Sequence, residues 1–121
     1  MSTVNLTNED FEKTITDNPI VLVDFWAAWC GPCRQFAPVY DKASEENSDI
    51  VFGKVDTDAQ NELAAMAQIT SIPTLMAFRD GIAIFRQAGA LPGPALADLI
   101  KQIREVDMDE VRFQIAEQES K

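Results

Sequence analysis

Residues 20–33 read IVLVDFWAAWCGPC, an apolar run that ends on two cysteines three positions apart. Ile20 to Ala27 is nearly unbroken in apolar residues and rich in valine and aromatics, the composition of a strand buried on both faces. From about Cys33 to Asn47, apolar and polar residues alternate with helical spacing, interrupted by Pro38. The cysteine pair is therefore placed where a strand turns into a kinked helix.

Working outward, Thr7 followed by Asp10 resembles a capping box and opens a helix from about Asn8 to Asp17, which Asn18-Pro19 breaks. Downstream, Ile50 to Val55 reads as a second buried strand and Gln60 to Gln68 as an alanine-rich helix, giving a strand, helix, strand unit with a crossover. After Ser71-Ile72-Pro73, the segments Thr74 to Phe78 and Ile82 to Gln87 flank an Asp80-Gly81 turn, the signal of an antiparallel hairpin. The sheet is thus predicted to be mixed. Gly89 and Pro92-Gly93-Pro94 lead into an amphipathic helix with Leu96, Leu99, Ile100 and Ile103 on one face. From about Asp107 the chain turns polar and has no partner element. Met108, Val111 and Ile115 keep helical spacing there, so residues 107–121 are expected to be an acidic extension, frayed or coiled into a short helix.

Composition narrows the chemistry. At 121 residues the chain has the size of one domain. A formal charge of −10 without a basic patch argues against nucleic acid as a partner. No stretch approaches the roughly 18 continuous apolar residues of a membrane span. The start, MSTVNLTNEDFEK, lacks the marks of an export signal, so the expected location is the cytoplasm. The absence of histidine excludes histidine-dependent triads and haem attachment through CxxCH. Two cysteines supply only half of an ordinary zinc site, and no metal is expected.

A thiol reacts as its thiolate, and a cysteine at a helix start is stabilised in that form by unpaired N–H groups and the positive end of the helix dipole. Cys30 has that position. Cys33, one turn further in, is close enough to close a disulfide and is expected to be the more shielded of the two. This predicts Cys30, exposed, as the nucleophile that attacks a partner's disulfide, and Cys33 as the residue that resolves the mixed disulfide. Three other readings stay open on spacing alone. A structural staple would close so short a loop that it contributes only about 2 kcal/mol. The other two are a metal shared between two CxxC pairs of a dimer, and a chance placement of two thiols. Asp24 needs a reason of its own, since a carboxylate inside an apolar strand must be paired or protonated. Lys54, on the adjacent strand, is its obvious ionic partner. Trp26 reads as core and Trp29 as a partly exposed wall beside Cys30.

The segment VDFWAAWCGPC (23–33), followed by SIPT (71–74) and Gly89, resembles the thioredoxin family over roughly residues 3–106. The resemblance implies an α/β fold, the thioredoxin-like three-layer α/β/α sandwich with a central mixed sheet, as a domain over 1–106. It implies a protein-disulfide reductase working through a reversible Cys30–Cys33 disulfide, maintaining cytosolic thiols and donating electrons to disulfide-forming enzymes. Asp24 corresponds to a buried acid beneath the disulfide that accepts the proton of Cys33, with Lys54 modulating it. Pro73 corresponds to a cis proline facing the disulfide. Trp29, Gly31, Pro32, Ile72, Pro73, Gly89 and Ala90 form the substrate-binding surface. Arg34 and Ala28 stand where other residues are common in the family, an expected influence on partner choice. The implied partners are disulfide-containing proteins and a flavin-dependent thioredoxin reductase drawing on NADPH. The chain itself is expected to bind no cofactor and to act as a monomer.

Overall fold

The computed structural model describes residues 2–120. In chain order its elements are β1 (Thr3–Asn5), α1 (Phe11–Asp17), β2 (Ile20–Trp26), α2 (Gly31–Glu46), β3 (Val51–Asp56), α3 (Asn61–Met66), β4 (Thr74–Arg79), β5 (Ile82–Ala88), α4 (Gly93–Glu105) and α5 (Met108–Glu119). The sheet order is β1-β3-β2-β4-β5. β1 and β2 run parallel to β3 on its two sides, whereas β4 is antiparallel to both β2 and β5.

β2 lies in the middle, and Val21 to Phe25 are buried because helices cover both faces of the sheet. Side chains alternate between faces along a strand, so two cores form. Leu22, Phe52, Leu75 and Ala77 pack with Phe36 and Tyr40 of α2 and with Leu96, Ile100 and Ile103 of α4. Val21, Val23, Phe25, Val55, Met76 and Phe78 pack on the other face with Leu6, with Ile15 of α1 and with Leu63 of α3. On the first face Phe36, Tyr40 and Phe52 form a run of rings with centroids 5.6 and 5.2 Å apart. Such contacts contribute about 0.5–1.5 kcal/mol each beyond burial. The Tyr40 hydroxyl donates to the Gly53 carbonyl at 2.8 Å, which ties α2 to β3. Gly53 has no side chain because Leu6 occupies the space a Cβ would need.

β5 departs from simple alternation. Ala77 faces Phe85 while Phe78 faces Ala83, leaving Ile84 as an extra residue in a β-bulge. As a result the consecutive residues Ile84 and Phe85 both pack toward the α2 and α4 core.

Several sequence expectations change. β1 was not anticipated. The first helix starts at Phe11 rather than Asn8, and only half of the expected capping box forms: the Asp10 carboxylate accepts the Thr7 N–H at 2.7 Å. β2 ends at Trp26, and α2 begins at Gly31 rather than about Cys33. Of the two forms expected for the extension, residues 108–119 take the helical one, with three turns. It is capped by Asp107, whose Oδ1 accepts the N–H groups of Asp109 and Glu110 at 3.0 and 3.2 Å.

Candidate active site

β2 and α2 meet at the cysteines. The end of β2 is fixed by Thr57, whose backbone N–H and hydroxyl both donate to the Trp26 carbonyl, at 2.9 and 3.0 Å. The chain then turns, with the Cys30 N–H donating to the Ala27 carbonyl at 3.2 Å. Cys30 is the N-cap of α2, and its Sγ accepts the Cys33 N–H at 3.2 Å. Gly31 and Pro32 fill the first helical positions, where a proline's missing N–H costs nothing. The two cysteines are joined as a disulfide with their Cα atoms 5.2 Å apart.

The expected contrast in exposure is small. Cys30 is 5% exposed and Cys33 3%, so Cys30 is not an exposed thiol in this oxidised form. The cause is non-local: the loop before β4 closes over it, bringing the Ile72 carbonyl oxygen 3.7 Å from Cys30 Sγ. What separates the two sulfurs is position, with Cys30 at the cap and Cys33 inside the first turn.

The Ile72–Pro73 peptide is cis. The Pro73 carbonyl accepts the Gly89 N–H at 2.8 Å, and Gly89 has φ of +102°, a conformation that favours glycine. Pro32, Gly89 and Ala90 are exposed and Gly31 and Ile72 half-buried, whereas Pro73 is buried. Trp29 is 68% exposed, and its indole N–H donates to the Asp58 carboxylate at 3.0 Å. A shallow groove of about 200 Å³ runs between Trp29 and the loop ending at Ile72.

Asp24 is 1% exposed, and neither of its oxygens has a hydrogen-bond partner among the described residues. By alternation along β2 it shares a face with Leu22, in the α2 core, and with Trp26, which packs on the group of Ala27, Cys30 and Cys33. Burial pushes its carboxyl up to about 7; the Lys54 charge opposes this shift and Asp41 adds to it. Lys54 stands opposite Asp24 in the β2–β3 register, where its charge acts on the carboxyl without a hydrogen bond to either oxygen. Its ammonium sits 5.0 Å from the centroid of the Trp26 ring. Burial also pushes the Tyr40 hydroxyl well above its usual range, with the charges of Asp24 and Asp41 adding to the effect.

Sequence reasoning missed Thr57, Asp58 and Asp41. Asp58 belongs to an Asx turn in which Asp56 Oδ1 accepts its N–H at 3.0 Å. That turn was readable from the run Asp56-Thr57-Asp58; its meeting with an indole 29 residues earlier was not. Arg34, flagged for its identity, donates to the Ala28 carbonyl at 2.9 Å and so lies along the rim of the site. Among the described residues, no group of three or more His, Cys, Asp or Glu side chains converges on one point.

A redox-active CxxC at the end of a central strand, capping the following helix opposite a cis proline, defines a thiol–disulfide oxidoreductase. Residues 2–102 match the family model described as Thioredoxin. A "Putative thioredoxin 2" from Streptomyces coelicolor is 62% identical over 98% of this chain and 89% of its own length. "Thioredoxin 1" from Synechococcus elongatus is 44% identical over 78% of this chain and 91% of its own. Among solved structures, the oxidised thioredoxin from Plasmodium falciparum is 36% identical, covers 84% of this chain and 98% of its own, and superposes with a TM-score of 0.76. The chain belongs to the thioredoxin family, and it is a protein-disulfide reductase.

Proposed function

We propose that Cys30, as thiolate, attacks a substrate disulfide, forms a mixed disulfide and releases one substrate thiolate. Cys33 then gives up its proton to Asp24 and attacks Cys30 Sγ, which releases the second substrate thiolate and leaves the Cys30–Cys33 disulfide. Two electrons pass to the substrate. The observation that carries this reading is the hydrogen bond from the Cys33 N–H to Cys30 Sγ at the N-cap of α2. A thiolate at that position gains a donor and the positive end of the helix. Asp24 suits the acceptor role because its carboxyl, raised to about 7, changes protonation near neutral pH. Lys54 is a positioning residue that acts through Asp24, its charge holding the carboxyl lower than burial alone would. Trp29, Gly31, Pro32, Ile72, Gly89 and Ala90 border the disulfide and receive an extended substrate segment, with Pro73 setting the floor beneath them.

The reaction consumes a reduced pair, so a second enzyme must restore it. We infer a flavin-dependent reductase drawing on NADPH, a monomeric chain working in the cytoplasm, and a catalytic unit spanning residues 1–106. Two measurements test the reading. The reduction potential of the pair should lie near about −270 mV, the value known for thioredoxins, rather than near about −120 mV, which marks an oxidant. The Cys33→Ser variant should accumulate mixed disulfides through Cys30 in the presence of disulfide-bonded proteins. A potential at the oxidising end, or no trapped species, would overturn the reductase assignment.

A further inference from the structure

The family match ends at residue 102, so the thioredoxin unit does not account for α5. α5 and the outermost strand of the sheet, β5, line a common groove. β5 pairs with β4 on one side and, among the described residues, with no strand on the other. An open strand edge is a template for another chain, and proteins blunt such edges with bulges, charges or a covering element. Here the first half of β5 carries two of these devices. Ile84 forms the bulge. Beside it Val111 and Ile115 of α5 face Ile82 and Ile84 across a groove of about 280 Å³. The helix is anchored at its start by Met108, which is buried, and pinned to the β4–β5 turn by Arg112, which pairs with Asp80 at 3.3 Å. The second half of β5 runs toward Gly89 and the disulfide, at the opposite end of the sheet, so α5 leaves the redox site open.

We propose that α5 guards the edge of β5 against pairing with a second copy of this chain. The segment that shares the groove with α5, Ile82-Ala83-Ile84, is uncharged and apolar, and such a segment pairs antiparallel with its own copy about a two-fold axis. Release of α5 exposes both its apolar side chains and its unpaired backbone.

The test uses the full chain with Ile115→Pro, which breaks α5 in its interior. Hydrogen exchange should show the amides of α5 unprotected. Sedimentation in high salt, where repulsion between chains of charge −10 is screened, should show self-association about tenfold or more tighter than in the parent chain. Adding Ala83→Lys, a charge on the exposed edge, should restore the monomer, and disulfide reduction should be unchanged throughout. The proposal fails if the parent chain is already dimeric, if α5 melts and the chain stays monomeric, or if Ala83→Lys leaves the association untouched. Should Ile115→Pro not fold, Arg112→Glu decides. It leaves Val111 and Ile115 unsubstituted but sets like charges against Asp80 and Asp109, which loosens α5 from the β4–β5 turn, and it should give the same shift in weaker form; no shift overturns the proposal.

Discussion

The two ends of the sheet are built on opposite terms. At the end where β2 gives way to the disulfide, polar groups are left without partners. Of the four buried side-chain atoms that lack one among the described residues, the two Asp24 oxygens and Trp26 Nε1 lie there, and only Arg79 Nε does not. At the other end, loose groups are tied. Arg79 donates to the Ile103 carbonyl at 2.6 Å at the end of α4, Arg104 makes two bonds to Asp49 at 2.6 and 2.9 Å, and the Asp80 N–H meets the Pro19 carbonyl at 2.9 Å. The helix poles follow the same division. α2 presents its N-terminus to the disulfide, where negative charge develops, while α4 ends among arginines. Reactivity and stability are held apart by the length of one strand.

Asp24→Asn attacks this contrast most directly. A carboxyl held at about 7 in the folded chain but near 3.8 when unfolded keeps a proton that the unfolded chain has released. Stability therefore falls as pH rises from about 4 to about 7, by on the order of 4 kcal/mol for this group alone. Asparagine removes that loss. The variant should be more stable than the parent above pH 7 and nearly equal to it at pH 4, by urea denaturation, while its resolving step loses pH dependence and slows. Equal stability at high pH would break the claim that the open end is charged at the expense of the fold. At the tied end, Arg79→Met keeps the apolar stem and removes the bonds to the end of α4. Loss of about 1–3 kcal/mol is expected in the same measurement, with disulfide reduction unchanged.

Two smaller effects sharpen the comparison. Gln68 adopts a left-handed conformation, with φ of 58°, at the end of α3, where its N–H and that of Ile69 bond back to Ala65 and Ala64 at 3.0 Å. Gln68→Gly should stabilise the chain by about 0.5–1 kcal/mol in thermal unfolding. Asp49 should give the least. Its carboxyl is lowered to about 2, chiefly by its hydrogen bond to Arg104, so its contribution is present above about pH 4 and disappears as pH falls through 2. The pair is exposed, and the difference between Asp49→Asn and the parent should shrink as salt is added.

What the sequence reveals tracks how local each feature is. The cysteine pair, the buried strand before it and the Asp80-Gly81 hairpin depend on near neighbours, and each could be read directly. β1 could not: three residues carry no periodicity, and they become a strand only by pairing with Phe52 to Lys54. Cys30 looked exposed because part of its cover comes from Ile72, on a loop 42 residues away, beside the nearby Trp26, Ala27 and Cys33. Lys54 is expected on the strand next to Asp24 and is there, but neither its place directly opposite Asp24 nor its position over the Trp26 ring could be read from spacing. The α5 helix had a readable start in Asp107 and Glu110, three apart as in a capping box. Its apolar stripe was too thin to settle the matter, since Phe113 lies off it and is 59% exposed.

The bulge at Ile84 bears on how the chain can change in length. β5 has seven residues against six in β4, and the extra one falls between two stretches of unbroken register. Excising Ile84 would therefore let Ile82 and Ala83 keep Arg79 and Phe78 as partners, and Gln87 and Ala88 keep Leu75 and Thr74. Removing Ala83 or Phe85 would let Ile84 take the vacated place, whereas a deletion further along β5 would slip the residues between it and the bulge and turn their side chains to the wrong face. The strand that leads into Gly89 can thus be shortened by one residue at its bulge without moving Gly89 relative to Pro73.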